Sequence, residues 1–187
     1  MLELFSAETT IVVGLDLNDY EDNILQAATS LAQKTGSKLI LVHAIQVFRT
    51  YALGHEGFAL PYEEFEKEAY DGDLRSAELK LNAIREKIAP EIVVETEVFR
   101  DYPENALDTV ANEARASLII CGTRSEKGNS IFSGMSTAIS LMAQAKVPVM
   151  IVPADSHLDL INQSQVVLVA DNMRNEGLFA LKAALGL

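Results

Sequence analysis

Ile11-Val12-Val13-Gly14-Leu15-Asp16 is a short apolar run, rich in β-branched residues, that ends in a carboxylate. A run too short for a helix and without polar alternation suits a strand buried on both faces. The signature returns in Leu39-Ile40-Leu41-Val42, in residues 92–99, in Leu118-Ile119-Ile120-Cys121 and in Val147-Pro148-Val149-Met150-Ile151-Val152-Pro153. Prolines near both ends of the last run suit strand termini or an edge position.

Helical spacing fills the intervals. After a polar stretch over 18–23, Ile24, Ala28, Leu31 and Ala32 share one face, and Gly36 follows as a residue tolerant of positive φ just past a helix end. Leu74, Ala77, Leu81, Ile84 and Ile88 stripe a long helix over 63–88 that Pro90 stops. Its acidic run, Glu63, Glu64, Glu66, Glu68, Asp71 and Asp73, reads as a solvated face and first turns rather than a metal site. Pro103 opens a third helix through Ala114, and a fourth runs from about 135 to 144. Residues 45–61 show no clean period and read as a long connection. Strand alternating with helix five times implies parallel pairing and right-handed crossovers, hence a doubly wound α/β sheet over residues 1–153.

Composition agrees. The chain has 187 residues, 49% hydrophobic and 22% charged, enough for one domain of ~150 residues with a sizeable core and something left over. Fifteen Lys+Arg against 27 Asp+Glu leave a net charge of −12 with no basic cluster, which argues against a nucleic-acid partner. Cys121, the single cysteine, has no intramolecular disulfide partner and sits in an apolar run, as a small buried thiol does. No stretch approaches ~18 consecutive apolar residues, and neither a basic n-region nor an apolar h-region precedes Glu3. The expectation is a soluble, cytoplasmic protein that makes no use of a membrane.

Beyond residue 153 lies a second signal. Val12-Val13-Gly14-Leu15-Asp16 aligns with Val167-Leu168-Val169-Ala170-Asp171, and Leu25, Ala27, Ala28 and Leu31 align with Leu181, Ala183, Ala184 and Leu187 once one loop residue is allowed for. The repeat divides the chain into a first domain over 1–153, a linker over 154–164 and the start of a second, incomplete domain over 165–187. The alternative is an extension with a docking role of its own. A lone strand and helix cannot bury its apolar face, so it needs the first domain or another chain to cover it.

In an open α/β sheet ligands sit beyond the carboxyl ends of the strands, where strand order reverses. Asp16 ends the first strand, where its carboxylate can accept hydrogen bonds from a ribose or a base amine, or can simply cap the turn. The fourth strand runs into Gly122-Thr123-Arg124-Ser125-Glu126-Lys127-Gly128, and the loop reaches Ser133-Gly134-Met135-Ser136 before the next helix. Glycines there let backbone amides approach phosphate oxygens, and a helix N-terminus adds N–H donors, although an ordinary surface loop has a similar composition. There is no G-x-x-x-x-G-K-[ST], no G-x-G-x-x-G after a strand and no H-E-x-x-H. His43, His55 and His157 are far apart in sequence; His43 lies at the end of the second strand, where packing or capping is its ordinary role.

Taken together and in this order, the strand ending in Asp16, Lys34-Thr35-Gly36, Leu39-Ile40-Leu41-Val42-His43, Pro103-Glu104-Asn105-Ala106, Leu118-Ile119-Ile120-Cys121-Gly122-Thr123 and the run 147–153 resemble the universal stress protein family over residues 8–153. The second start at Val166 resembles its tandem branch. The resemblance implies a five-stranded, Rossmann-like parallel sheet of order 3-2-1-4-5. It implies ATP or AMP, with Mg²⁺ if ATP, at the switch between the first and fourth strands, and domain pairing through the fifth strands.

By the same resemblance Asp16 serves ribose or base, Val42 meets adenine through its backbone, and Gly122, Ser125, Gly128, Gly134 and Ser136 surround the phosphates. The family's loop pattern is G-x2-G-x9-G-[ST]. Here Ser125 stands at the second glycine, Gly134 follows after eight residues rather than nine, and Met135 replaces the hydroxyl residue. A side chain then stands where backbone should approach phosphate, the amides shift, and Met135 offers no donor. The implied pocket is degenerate in its phosphate half, with Asp16 and Val42 keeping the adenosine half.

Three roles follow: a cytoplasmic stress-response binding or signalling module, a slow ATP hydrolase, or an interaction scaffold with no small ligand. Hydrolysis needs a divalent ion and a placed water, and beyond Asp16 no carboxylate is assigned to hold that ion, so no catalytic residue is named. The run 147–153, at a sheet edge, predicts a homodimer with Val149 and Ile151 paired across a two-fold axis.

Overall fold

The computed structural model describes residues 9–17, 22–45, 62–122 and 137–153, with 62–69 through their helical backbone only. Within them the elements are β1 (Thr10–Gly14), α1 (Asp22–Thr35), β2 (Lys38–Ala44), α2 (Tyr62–Lys87), β3 (Val94–Phe99), α3 (Pro103–Glu113), β4 (Leu118–Gly122), α4 (Thr137–Gln144) and β5 (Val149–Val152). The strands form one sheet in the order β3-β2-β1-β4-β5, and every pair is parallel. This is the doubly wound α/β architecture read from the apolar runs, in the Rossmann-like strand order implied by the resemblance. The long connection beyond Ile45, His55, His157, the side chains of Glu63, Glu64, Glu66 and Glu68, and the chain over 154–187 lie outside the described residues.

Why the strand runs are apolar throughout is plain from their two faces. Ile11, Val13, Leu39, Leu41 and Ile120 point to one side, where Ile24, Ala27, Ala28 and Leu31 of α1 and Leu81 of α2 cover them. Val12, Ile40, Val42, Ile119 and Cys121 point to the other, under Ala106, Leu107, Val110 and Ala111 of α3 and Ala138 and Leu141 of α4. The period of two along each strand thus feeds two separate clusters. Each fully buried Leu or Ile among them contributes about 1.5–3 kcal/mol relative to leaving it exposed.

Boundaries differ from the periodicity where hydrogen bonds decide them. Ile92 is buried in the core, but its N–H bonds Ala89 O at 3.0 Å and so belongs to a turn; β3 begins two residues later. Before β5, Val147 lies in a bend, and Pro148, which has no N–H to give, joins only through its carbonyl, accepting Ile119 N–H at 2.9 Å. α3 ends in a Schellman motif, with Ala116 N–H on Ala111 O (2.8 Å), Arg115 N–H on Asn112 O (3.3 Å), and Arg115 at φ 49°. α1 ends at Gly36, φ 71°, the conformation glycine adopts at least cost.

At the foot of the sheet three hydroxyls are linked. Thr35 Oγ1 bonds Leu31 O at 2.8 Å and lies 2.8 Å from Ser37 Oγ, which is 2.6 Å from Thr9 Oγ1. A carbonyl only accepts, so Thr35 donates to Leu31, Ser37 donates to Thr35, and Thr9 donates to Ser37. The relay ties the start of β1 to the end of α1 and the start of β2. On the far edge, Glu95 and Glu97 of β3 stand level with Ile40 and Val42, and Lys38 Nζ reaches Glu95 at 3.3 Å. Charged side chains on an edge strand discourage further strand pairing.

Candidate functional site

Register sets the site. Gly14 stands level with Val42 of β2, and Val13 with Ile120 of β4, so β1 stops where the strand order reverses, while β2 runs on two residues to Ala44 and β4 runs on to Gly122. Past β1 the chain continues for one more rung: Leu15 N–H bonds Val42 O at 2.9 Å. The Leu15 carbonyl is bonded at 2.8 Å by His43 Nδ1. Because that carbonyl carries no proton, His43 is the donor and the proton sits on Nδ1. Leu17 then turns through φ 59°, a left-handed conformation that a Leu adopts at a cost of about 1–2 kcal/mol. Its side chain packs against the α1/α2 cluster, and Lys80 Nζ donates to its carbonyl at 3.4 Å. Asp16 stands between these two anchored residues and is exposed.

Val42 is 2% exposed, with its side chain in the α3/α4 cluster. A carbonyl oxygen has two lone pairs, so after Leu15 its own retains one. Gly122 closes β4 opposite Val152 of β5, and a Cβ added there would lie 2.7 Å from Ile24 Cδ1. A Cβ on Gly14 would lie 2.9 Å from Leu107 Cδ1. Both glycines therefore let a helix approach the sheet closely beside the switch point. Cys121, one residue before Gly122, is buried, and desolvation pushes its thiol up to about 11, which marks it as packing rather than a nucleophile.

Of the residues singled out in the sequence, Asp16, Val42 and Gly122 are gathered at this one end of the sheet. Ser125, Gly128, Gly134 and Ser136 lie outside the described residues. The His43 bond, the left-handed Leu17 and the Lys80 contact were missed. His43 carried a signal, a lone polar residue closing an apolar strand; Leu17 and Lys80 carried none. A groove of about 590 Å³ lies elsewhere, between α1 and the end of α2, lined by Leu25, Thr29, Ile84 and Ile88 among others. Among the described residues no group of three His, Cys, Asp or Glu is placed to hold a metal ion, and no helix is long and apolar enough to cross a membrane.

The model of the universal stress protein family matches residues 9–153. The chain belongs to that family. Solved structures share the fold of this universal stress protein. MJ0577, the subject of a structure-based assignment of biochemical function, is 16% identical, with a TM-score of 0.62 over 79% of this chain and 96% of its own. A universal stress protein in complex with cAMP is 22% identical, with a TM-score of 0.50 over 79% and 98%. One from Archaeoglobus fulgidus is 22% identical, with a TM-score of 0.51 over 76% and 97%. No curated protein matches the chain.

Proposed function

We propose that this universal stress protein is a cytoplasmic stress-response binding and signalling module. Its ligand is an adenine nucleotide, ATP or AMP, taken at the switch point between β1 and β4. The observation that carries the reading is the exposed Asp16 held just past β1 by anchored neighbours, with Gly122 closing β4 beside it. Support also comes from the family relative of similar fold that binds cAMP.

In this reading the Asp16 carboxylate accepts from ribose hydroxyls or the adenine amine, and the Val42 backbone meets the base. The Gly122 amide, with Ser125, Gly128, Gly134 and Ser136, faces the phosphates ahead of the α4 N-terminus. Mg²⁺ arrives with ATP, on the phosphate oxygens. Two copies pair through the edge at 147–153, and residues 165–187, after the linker 154–164, begin a second unit.

The test is to denature freshly purified protein and chromatograph the supernatant on an anion exchanger, then titrate AMP and Mg-ATP calorimetrically. Retained or titrated nucleotide, bound measurably but more weakly in Asp16→Ala, is expected. An empty supernatant with no heat and no thermal shift refutes the ligand and leaves a protein-interaction scaffold. Phosphate release above blank would recast the protein as a slow hydrolase. A monomer by light scattering at high concentration refutes the pairing.

A further inference from the structure

We infer that His43 is a positioning residue for Asp16: its ring fixes the peptide that carries the carboxylate and thereby sets where a ligand meets it. The inference rests on the nucleotide reading above and adds the residue that aims its first contact.

The peptide unit is planar, so the Leu15 carbonyl oxygen and the nitrogen and Cα of Asp16 move as one body. Holding Leu15 O at 2.8 Å from His43 Nδ1 therefore fixes the plane from which the Asp16 side chain departs. On its other side Leu15 is tied by its N–H to Val42 O at 2.9 Å. His43 itself is set in the sheet, level with Val98 of β3 and one residue past Val42, so the donor is mounted on a strand rather than on a loop. Downstream, Leu17 holds a left-handed φ of 59° that its own side chain disfavours, and such a conformation persists only where its surroundings impose it. The packed Leu17 side chain, the 3.4 Å contact from the exposed Lys80 and the His43 bond supply that restraint. Of these, the His43 bond is the shortest and is part-buried, and it acts on the peptide shared with Asp16.

The experiment is a calorimetric double-mutant cycle with AMP and Mg-ATP on the full chain, using His43→Leu, His43→Asn and Asp16→Ala. Loss of one such hydrogen bond predicts about fivefold to tenfold weaker binding in His43→Leu. His43→Asn, whose amide N–H reaches out at the Nδ1 position, is expected within about twofold of wild type. In the Asp16→Ala background His43→Leu should change nothing further, because His43 acts through that carboxylate. Equal effects of His43→Leu with and without Asp16 overturn the inference, as does failure of His43→Asn to rescue.

If the wild type binds neither nucleotide, the functional reading fails and the positioning is read by NMR instead. His43 Nδ1 should carry a proton, and the Asp16 backbone amide resonance should shift in His43→Leu and return in His43→Asn. An unprotonated Nδ1, or an unmoved Asp16 amide resonance, overturns it.

Discussion

Replacing Ser37 with Ala tests the hydroxyl relay at the foot of the sheet. Ser37 is 3% exposed and sits at the centre, accepting from Thr9 at 2.6 Å and donating to Thr35 at 2.8 Å. Ser37→Ala removes both bonds, each worth about 0.5–1.5 kcal/mol net. Thr9 is half-buried and can turn its proton to water, while Thr35 keeps its own bond to Leu31 O. Part of the loss is thereby recovered, and the expected destabilisation is about 1.5 kcal/mol. For a domain of this size that lowers Tm by roughly 3–6 °C. The assay is urea unfolding followed by circular dichroism on wild type, Ser37→Ala, Thr9→Val and the double variant. Because one bond is shared, the double variant should cost less than the two singles together, by about 0.5–1 kcal/mol. Strict additivity, or a Ser37→Ala midpoint equal to wild type, would refute the directed relay. The relay lies at the opposite end of the strands from Asp16, so nucleotide binding should be unchanged in Ser37→Ala.

Cys121 should resist thiol reagents in the native protein at pH 8 and react on unfolding, and rapid native labelling would contradict its burial. Its thiol is raised from 9.0 to about 11 in the fold, so the stability it contributes is fully present below about pH 9 and is lost as pH rises through 11; Cys121→Ala should lack that slope in urea midpoints measured across the window. Arg115→Gly relieves a left-handed residue of the Schellman motif at some cost in unfolded-chain entropy, and is expected to raise stability by up to about 1 kcal/mol; a lower Tm would argue against relief of strain there. Leu141→Ala, at a fully buried position in α4, should cost about 2–5 kcal/mol in urea unfolding, and a loss under 1 would mean the α3/α4 cluster is loosely packed.

Fold and site were legible to different depths. The five strands announce themselves because strands buried on both faces must be apolar at consecutive positions, and the helices because Ile24, Ala28 and Leu31 or Leu74, Ala77 and Leu81 fall on one face. The start of β3 was misplaced because Ile92 is as apolar and buried as a strand residue while its N–H is committed to a turn. At the site, Asp16 and Gly122 were singled out from their places at strand ends, and Val42 only through the family resemblance. The restraints on Asp16 were not: His43 meets a carbonyl 28 residues away and Lys80 one 63 residues away, contacts that exist only once the sheet has assembled. A left-handed leucine has no signature in sequence, since leucine is among the residues least expected there.

The division of the core into two clusters by alternate strand residues bears on where this protein can change length. A deletion of one residue early in β4 would transpose the residues beyond it to the opposite face, sending Ile120 toward α3 and Cys121 toward α1. Insertions and deletions are therefore confined to the segments beyond the strand ends, where no such parity applies. That is where the chain is one residue short of the family's loop pattern, between Ser125 and Gly134. Because the strands fix the two clusters, the connections beyond their ends can change length without altering how the fold stands.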